Sequence, residues 1–233
     1  MALVIHNVKL APGIYRLTVQ GSYPARMGQF FMLRCWDTYP VLSRPISVHD
    51  LTLDSISFLY RVQGTGTRLL SALQAGDRIQ LEGPFGQAFP DPQGRTALVG
   101  GGIGIAPMLL AARGISSASV FLGYSGLPFG VDGFNEASHD VTVRSGGTIV
   151  DDIDPGRYDT IYACGPVAMM QNLAQKSEGS SAKLYVSIEK RMGCGIGACN
   201  SCTLTTAGTN RKVCTDGPVF PAREVNWNDL HRL

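Results

Sequence analysis

The sequence predicts an α+β chain in three parts: a β-rich N-terminal segment, a central α/β segment built on a parallel sheet, and a short cysteine-rich tail. Three observations predict it. Short β-rich runs separated by Gly, Pro and Asp fill roughly the first ninety residues. Strand-like and helix-like runs then alternate, the mark of a parallel sheet with helices on its faces. Four of the six cysteines lie beyond residue 189. The boundaries read as 1–92, 93–188 and 189–233.

Within the first part, GIYRLTVQG (13–21), GQFFMLRC (28–35), RPISVHD (44–50), ISFLYRV (56–62) and GDRIQLEGPFG (76–86) read as strands. Their spacing suggests a barrel or a sandwich. Composition supports a packed chain: 44% of the 233 residues are apolar and 16% charged. The net charge is only +2 and no basic block occurs, which argues against nucleic acid and anionic lipid as partners.

The texture changes at PDPQGR (90–95). TALVG (96–100), SVFLGY (119–124), TIYACG (160–165) and KLYVSI (183–188) read as buried strands, IAPMLLAARG (105–114) and PVAMMQNLAQKS (166–177) as helices. Pro107 is tolerable in a first helical turn. The stretch ALVGGGIGIAPMLLAA (97–112) is too short and too glycine-rich to span a membrane. The N-terminal MALVIHNVKL lacks the charged and apolar regions of a signal peptide. A soluble cytoplasmic protein is expected. Thiols stay reduced there, so clustered cysteines favour metal or catalysis over disulfides.

The tail is too small for a large core of its own and needs a staple. Its spacing is Cys194-x4-Cys199-x2-Cys202, with Cys214 after eleven intervening residues. That is the plant-type [2Fe–2S] pattern. TLTTAGTNRKV (203–213) reads as a hairpin with AGTN as its turn, returning Cys214 toward Cys202. Gly193, Gly195 and Gly197 let backbone N–H groups approach an anionic cluster, and Arg191, Arg211 and Lys212 add positive charge nearby. A structural zinc site usually shows two closely spaced cysteine pairs, and the second is missing here. Cys35 reads as a core residue.

GGGIGIAP (100–107) follows a strand and opens a helix. Such a turn offers bare amides and a helix N-terminus to a pyrophosphate, placing Gly101, Gly102 and Gly104 as dinucleotide-binding candidates, although G-x-G-x-x-G is not matched. Neither a carboxylate nor an arginine stands directly after SVFLGY, which favours NADH over NADPH. Cys164 ends a strand where ligands collect in α/β sheets; it lines the nicotinamide site or packs. RPIS (44–47) and GTGT (64–67) are phosphate-binding candidates, through an arginine fork and through glycines and hydroxyls at a helix start.

Taken together, RPIS, GTGT, GGGIGIAPM, ACGPVAMM and MGCGIGACNSC…VCTDGPVF resemble the ferredoxin–NADP reductase superfamily over essentially the whole chain. The C-terminal motif narrows the resemblance to the electron-transfer subunits of NAD-linked bacterial dihydroorotate dehydrogenases. The resemblance implies an N-terminal antiparallel β-barrel that binds FAD, a central NAD-binding α/β domain and a C-terminal [2Fe–2S] subdomain ligated by Cys194, Cys199, Cys202 and Cys214. It implies that Arg44, Pro45, Ile46 and Ser47 contact the flavin and its phosphates. It places Arg61, Val62 and Gln63 along the flavin, and Gly66 and Thr67 on the pyrophosphate. Ile46 stands where the wider superfamily often has an aromatic. The implied partner is an FMN-containing dihydroorotate dehydrogenase catalytic subunit, in a heterotetramer of two catalytic and two electron-transfer subunits serving pyrimidine biosynthesis. Val219, Phe220, Pro221 and Trp227 read either as a docking surface for that partner or as local packing. The same module also suits a reductase subunit of a sulfite reductase, a hydrogenase or a ferredoxin transhydrogenase. From another class, a zinc-stabilised, non-catalytic binding module with a purely structural glycine turn fits the cysteines.

Overall fold

A computed structural model describes residues 1–230. The barrel strands are β1 (Ala2–Ala11), β2 (Ile14–Gln20), β3 (Phe30–Arg34), β4 (Arg44–Leu51), β5 (Ser55–Arg61) and β6 (Arg78–Phe85), with helix α1 (Thr65–Ser71) between the last two. They close in the order β1-β2-β5-β4-β3-β6, every pairing antiparallel. Alternation fills the barrel: Leu17, Val19, Phe31, Leu33, Val48, Ile56 and Phe58 point inward and are buried. The rings of Phe31 and Phe58 meet edge to face at 5.8 Å. The sequence suggested a barrel or a sandwich; closure through β1 makes it a barrel. That strand is missing from the sequence reading because ALVIHNVKLA alternates imperfectly, and register shifts interrupt its pairing with β2.

The second part contains β7 (Thr96–Gly101), α2 (Ala106–Gly114), β8 (Ser119–Tyr124), α3 (Asp132–Ala137), β9 (Val141–Ser145), β10 (Thr160–Cys164), α4 (Val167–Lys176) and β11 (Lys183–Ser187). Strands β9, β8, β7, β10 and β11 form a parallel sheet in that spatial order. Every residue of β7 is buried, as expected of a central strand covered on both faces. Strand β9 is the one the sequence reading missed; its five residues sit at the sheet edge and are mostly half-exposed, so they carry little apolar signal.

The tail supplies β12 (Thr203–Thr206), β13 (Thr209–Lys212) and β14 (Val219–Pro221). The hairpin exists, but its turn is the two-residue Ala207-Gly208, both with positive φ, and Thr209 and Asn210 already belong to the return strand. Strand β14 adds antiparallel to β11, pairing Val219 with Ser187 and Phe220 with Val186. Val219 and Phe220 are thereby buried, and Trp227 packs against the same core. Local packing accounts for Val219 and Phe220, whereas Pro221 and Trp227 stay half-exposed. One apolar cluster joins Phe30 and Met32 of the barrel, Val99 and Val186 of the sheet, and Cys202, Cys214 and Phe220 of the tail. This shared core is the staple the tail needed.

Barrel and sheet are also joined by the Phe89 and Tyr162 rings, 4.6 Å apart, and by the Arg113–Asp50 ion pair at 2.9 Å. Beneath that pair, buried His49 donates from Nδ1 to the Ala106 carbonyl at 2.8 Å. Among the described residues no helix is long and apolar enough to cross a membrane.

Burial pushes the His49 imidazole down from 6.5 to about 4, against the smaller opposing effects of the Ala106 hydrogen bond and Asp50. The unfolded chain therefore binds a proton near pH 6.5 that the folded chain refuses until about pH 4. The stabilising margin is complete above the upper value and is lost as pH falls through this window. Paired thermal melts across that range are expected to show a melting temperature that falls more steeply with acid in the wild type than in His49→Gln. Parallel pH profiles would refute the assignment.

Candidate functional site

The cysteine loop begins at the end of β11, where Ile188 hydrogen-bonds the Pro218 carbonyl, and crosses the mouth of the barrel. Cys199 is held down to about 6 by hydrogen bonds from the Ser201 hydroxyl and backbone N–H, and then from Cys194. Cys214 is pushed up to about 11 by burial and by the Cys202 thiol beside it. Backbone amides point at sulfur: Gly197 N–H at Cys214 Sγ (3.2 Å), and Ala198 and Cys199 N–H at Cys194 Sγ (3.2 and 3.4 Å). Gly197 reaches this position at φ +80°, a left-handed conformation, with Thr215 only 3.0 Å from where a Cβ would sit. Lys212 Nζ donates to the Gly197 carbonyl at 2.6 Å, so its charge does come to the loop. Arg211 instead pairs with Glu224 at 3.6 Å.

Four cysteines on one loop and hairpin, with backbone amides donating to the sulfurs of Cys194 and Cys214, fit an anionic iron–sulfur cluster.

A cavity of about 250 Å³ lies between the loop and the barrel. Arg44, Pro45, Ile46 and Ser47 of β4 line it, together with Arg61, Gln63 and Thr67. Val62 does not: its side chain packs into the barrel core, and its N–H bonds the Gly13 carbonyl at 2.8 Å. Gly66 lies beneath the Arg44 guanidinium, with Nε only 2.5 Å from where a Cβ would sit. On another side the guanidinium lies 5.5 Å from the Trp36 ring centroid, and it donates to the Leu42 and Ser43 carbonyls. Arg34 lies over the same indole at 5.6 Å and donates to the carbonyls of Trp36, Asp37 and Val41. These contacts fix an arginine at the cavity wall, where a phosphate can be met by a fork of donors. Nothing in the sequence around Trp36 signals this clamp, because it forms only when the 35–43 loop folds back on β4.

The opposite wall comes from the sheet and the tail: Ile103, Pro107, Ile188, Glu189, Met192 and Pro218. Met192 is two residues from Cys194 in sequence. Sequence reasoning missed Glu189 and Met192, which belong to no phosphate or metal motif.

A second cavity, about 700 Å³, opens at the C-terminal edge of the sheet. Gly101, Gly102 and Gly104 line it, with Gly123, Gly147 and Met169. Residues Gly102–Ile105 form a 3₁₀ turn leading into α2, and a Cβ on Gly104 would collide with the Cys164 carbonyl. That close approach, rather than a standard glycine motif, explains the glycine there. Cys164 itself is 2% exposed, its thiol pushed far up by burial, and it is among the lining residues of neither cavity. Arg61, Gln63, Ile103, Ile188 and Glu189 line both cavities, so the two spaces meet at one junction.

A sequence model of the iron–sulfur cluster binding domain of dihydroorotate dehydrogenase B matches residues 189–226. The dihydroorotate dehydrogenase B (NAD(+)) electron transfer subunit of Clostridium acetobutylicum is 40% identical, over 97% of this chain and 96% of that protein. The subunit of the same name from Listeria innocua is 40% identical over 96% and 97%. Among solved structures, an NADH-dependent reduced ferredoxin–NADP oxidoreductase superposes with a TM-score of 0.90 at 26% identity, covering 100% of this chain and 92% of that one. A ferredoxin–NADP reductase from Neisseria gonorrhoeae with bound FAD and NADP shares the fold, with a TM-score of 0.58 at 16% identity over 80% and 98%.

Gly104→Ala is expected to push the 3₁₀ turn off Cys164. Overpacking at a rigid backbone contact typically costs about 1–3 kcal/mol, which for a chain of this size lowers the melting temperature by roughly 3–10 °C. An unchanged melting temperature would show that the turn yields freely.

Proposed function

This chain belongs to the family of dihydroorotate dehydrogenase B (NAD(+)) electron transfer subunits, and we propose that its two joined cavities and its cysteine loop are the stations through which it works. It serves as the oxidoreductase subunit that passes electrons between a dihydroorotate dehydrogenase catalytic subunit and NAD, with FAD and a [2Fe–2S] cluster as its cofactors. In this reading the catalytic partner carries FMN and joins the chain in a cytoplasmic heterotetramer of two subunits of each kind.

The observation that carries the reading is the shared wall. Met192, on the loop that bears the cysteines, lines the cavity that Arg44 and Ser47 line from the barrel, and Arg61 and Gln63 continue into the glycine-lined cavity of the sheet. When bound, the flavin exchanges a two-electron hydride with nicotinamide and single electrons with the cluster. The protein's part is placement. Arg44, set by Trp36 and Gly66, meets the flavin's phosphates, with Thr67 at the base of α1. Thr67 Oγ1 is already held by the Gln63 and Gly64 amides at 2.9 and 3.1 Å, which tightens the turn that presents Gly66. Ile46 and Ser47 line the isoalloxazine side, and aliphatic Ile46 offers contact without ring stacking. The Gly101–Gly104 turn receives the dinucleotide pyrophosphate on bare backbone. Apolar Ile103 and Ile188 keep water from the junction. Cys194, Cys199, Cys202 and Cys214 hold the two irons, and the amides on Cys194 and Cys214 offset the charge of the thiolates.

The 26% identity and TM-score of 0.90 to the reduced ferredoxin–NADP oxidoreductase favour a second reading, the same module serving another redox complex. Isolation of the assembly with its flavins quantified separates the two: an FMN protein acting on dihydroorotate supports the first.

Two substitutions test the assignments. Cys199→Ser is expected to remove the visible bands of the cluster and abolish electron delivery to the catalytic partner, while NADH still bleaches the flavin. Delivery at the wild-type rate would take the cluster off the path. Arg44→Ala is expected to lose FAD on gel filtration, read from the flavin-to-protein absorbance ratio; full retention would remove Arg44 from the phosphate site.

A further inference from the structure

The sheet cavity carries a feature that its glycines do not explain. Strand β9 lies beside β8, and Arg144 is in register with Gly123, which lines the cavity. Arg144 NH1 faces Gly147, 3.9 Å from where a Cβ would sit there, and Gly147 lines the same cavity. An arginine at the rim of a dinucleotide site is the residue type that takes an adenosine 2′-phosphate. Its other two nitrogens are occupied. Nε donates to Asp152 Oδ2 at 2.5 Å and NH2 donates to Oδ1, a fork-on-carboxylate pair.

Asp152 is held in place from elsewhere. It ends the 3₁₀ turn Ile149–Asp152, whose first residues are capped by Thr148 Oγ1, which accepts from Val150 N–H at 3.3 Å. Lys176 of α4 donates to the Val150 carbonyl at 2.8 Å and to that of Asp151 at 3.4 Å. The carboxylate is thus fixed by a distant helix as well as by its own turn.

We propose that Asp152 makes this subunit selective for NAD(H) over NADP(H) by masking Arg144, which is otherwise a ready 2′-phosphate site. The proposal rests on the reading of the sheet cavity as the dinucleotide site. With Arg144 resting bidentate on Asp152, the ion pair as a whole has no net charge to offer, and Asp151 next door adds to the repulsion of a phosphate dianion. A ribose diol carries no charge and can bond to the free NH1 or to the carboxylate. To bind the phosphorylated ribose, the pair must open beside an anion; to bind the plain ribose, it stays closed.

The experiment uses the holoprotein with ferricyanide as electron acceptor and measures kcat/KM for NADH and NADPH in wild type, Asp152→Asn, Asp152→Glu, Arg144→Ala and the Asp152→Asn/Arg144→Ala double variant. Asp152→Asn is expected to raise the NADPH-to-NADH ratio about tenfold or more, the usual scale of a charge-assisted bond to phosphate. The double variant is expected to lose that gain, and Asp152→Glu to keep the wild-type preference. A purely structural role would lower both rates together and leave the ratio in place, which would overturn the proposal. A gain that survives removal of Arg144 would overturn it equally. Calorimetric binding of 2′-phospho-AMP against AMP reads the same preference without turnover, so a variant that loses its flavin still decides the matter. If wild type is reduced by neither dinucleotide, the reading of the cavity itself falls; if NADH reduces it and the ratio does not move in Asp152→Asn, only the masking falls.

Discussion

Three backbone pairings, Val219 with Ser187, Phe220 with Val186 and Pro221 with Tyr185, hold the arrangement together. They lay the end of the tail along the outer strand of the sheet and drive Phe220 into the apolar cluster that also contains Met32 of the barrel. The segment between those anchors, with its four cysteines, must then pass over the barrel mouth. A tail of this size could not bury enough apolar surface to fix itself. Borrowing the core of two larger parts solves that problem and brings Met192 into the barrel cavity.

Charge at the cysteine loop is handled mainly by backbone. Amides of Gly197, Ala198 and Cys199 face sulfur, and the Lys212 ammonium acts through the Gly197 carbonyl. Fixed backbone dipoles need no rearrangement when the charge on a nearby group changes, which suits a site through which electrons pass. The barrel uses the opposite device. Arg44 is a mobile side chain by nature, and it is made rigid by a ring, a glycine and two carbonyls. Both devices place charge in advance of any ligand.

The junction of the two cavities follows from topology. Strand β4 leads to the barrel cavity and the turn after β7 to the sheet cavity, and His49 fastens the first to the helix that the second opens. The junction residues Arg61, Gln63, Ile103, Ile188 and Glu189 come from three separate stretches of chain, so their convergence is a property of the assembled fold.

Much of this was legible in the residues. The spacing of Cys194, Cys199, Cys202 and Cys214 carries its chemistry because a hairpin of fixed length returns the last thiol to the others, and such local geometry is written in local sequence. The glycines at 101, 102 and 104 and the arginine at 44 are legible for the same reason: each lines a cavity or meets a neighbouring turn at close range. What folding alone decided lies between distant segments. Phe220 has the same apolar character in a docking face as in a core, and only the pairing of β14 with β11 makes it core. Val62 adjoins two lining residues, yet it lies just past the end of β5 and its side chain packs against the barrel core. Glu189, Met192 and the Arg144–Asp152 pair belong to no motif, since their meaning arises from which strands become neighbours. Short-range patterns set which groups this protein can hold, whereas long-range burial of apolar surface set where those groups stand relative to one another.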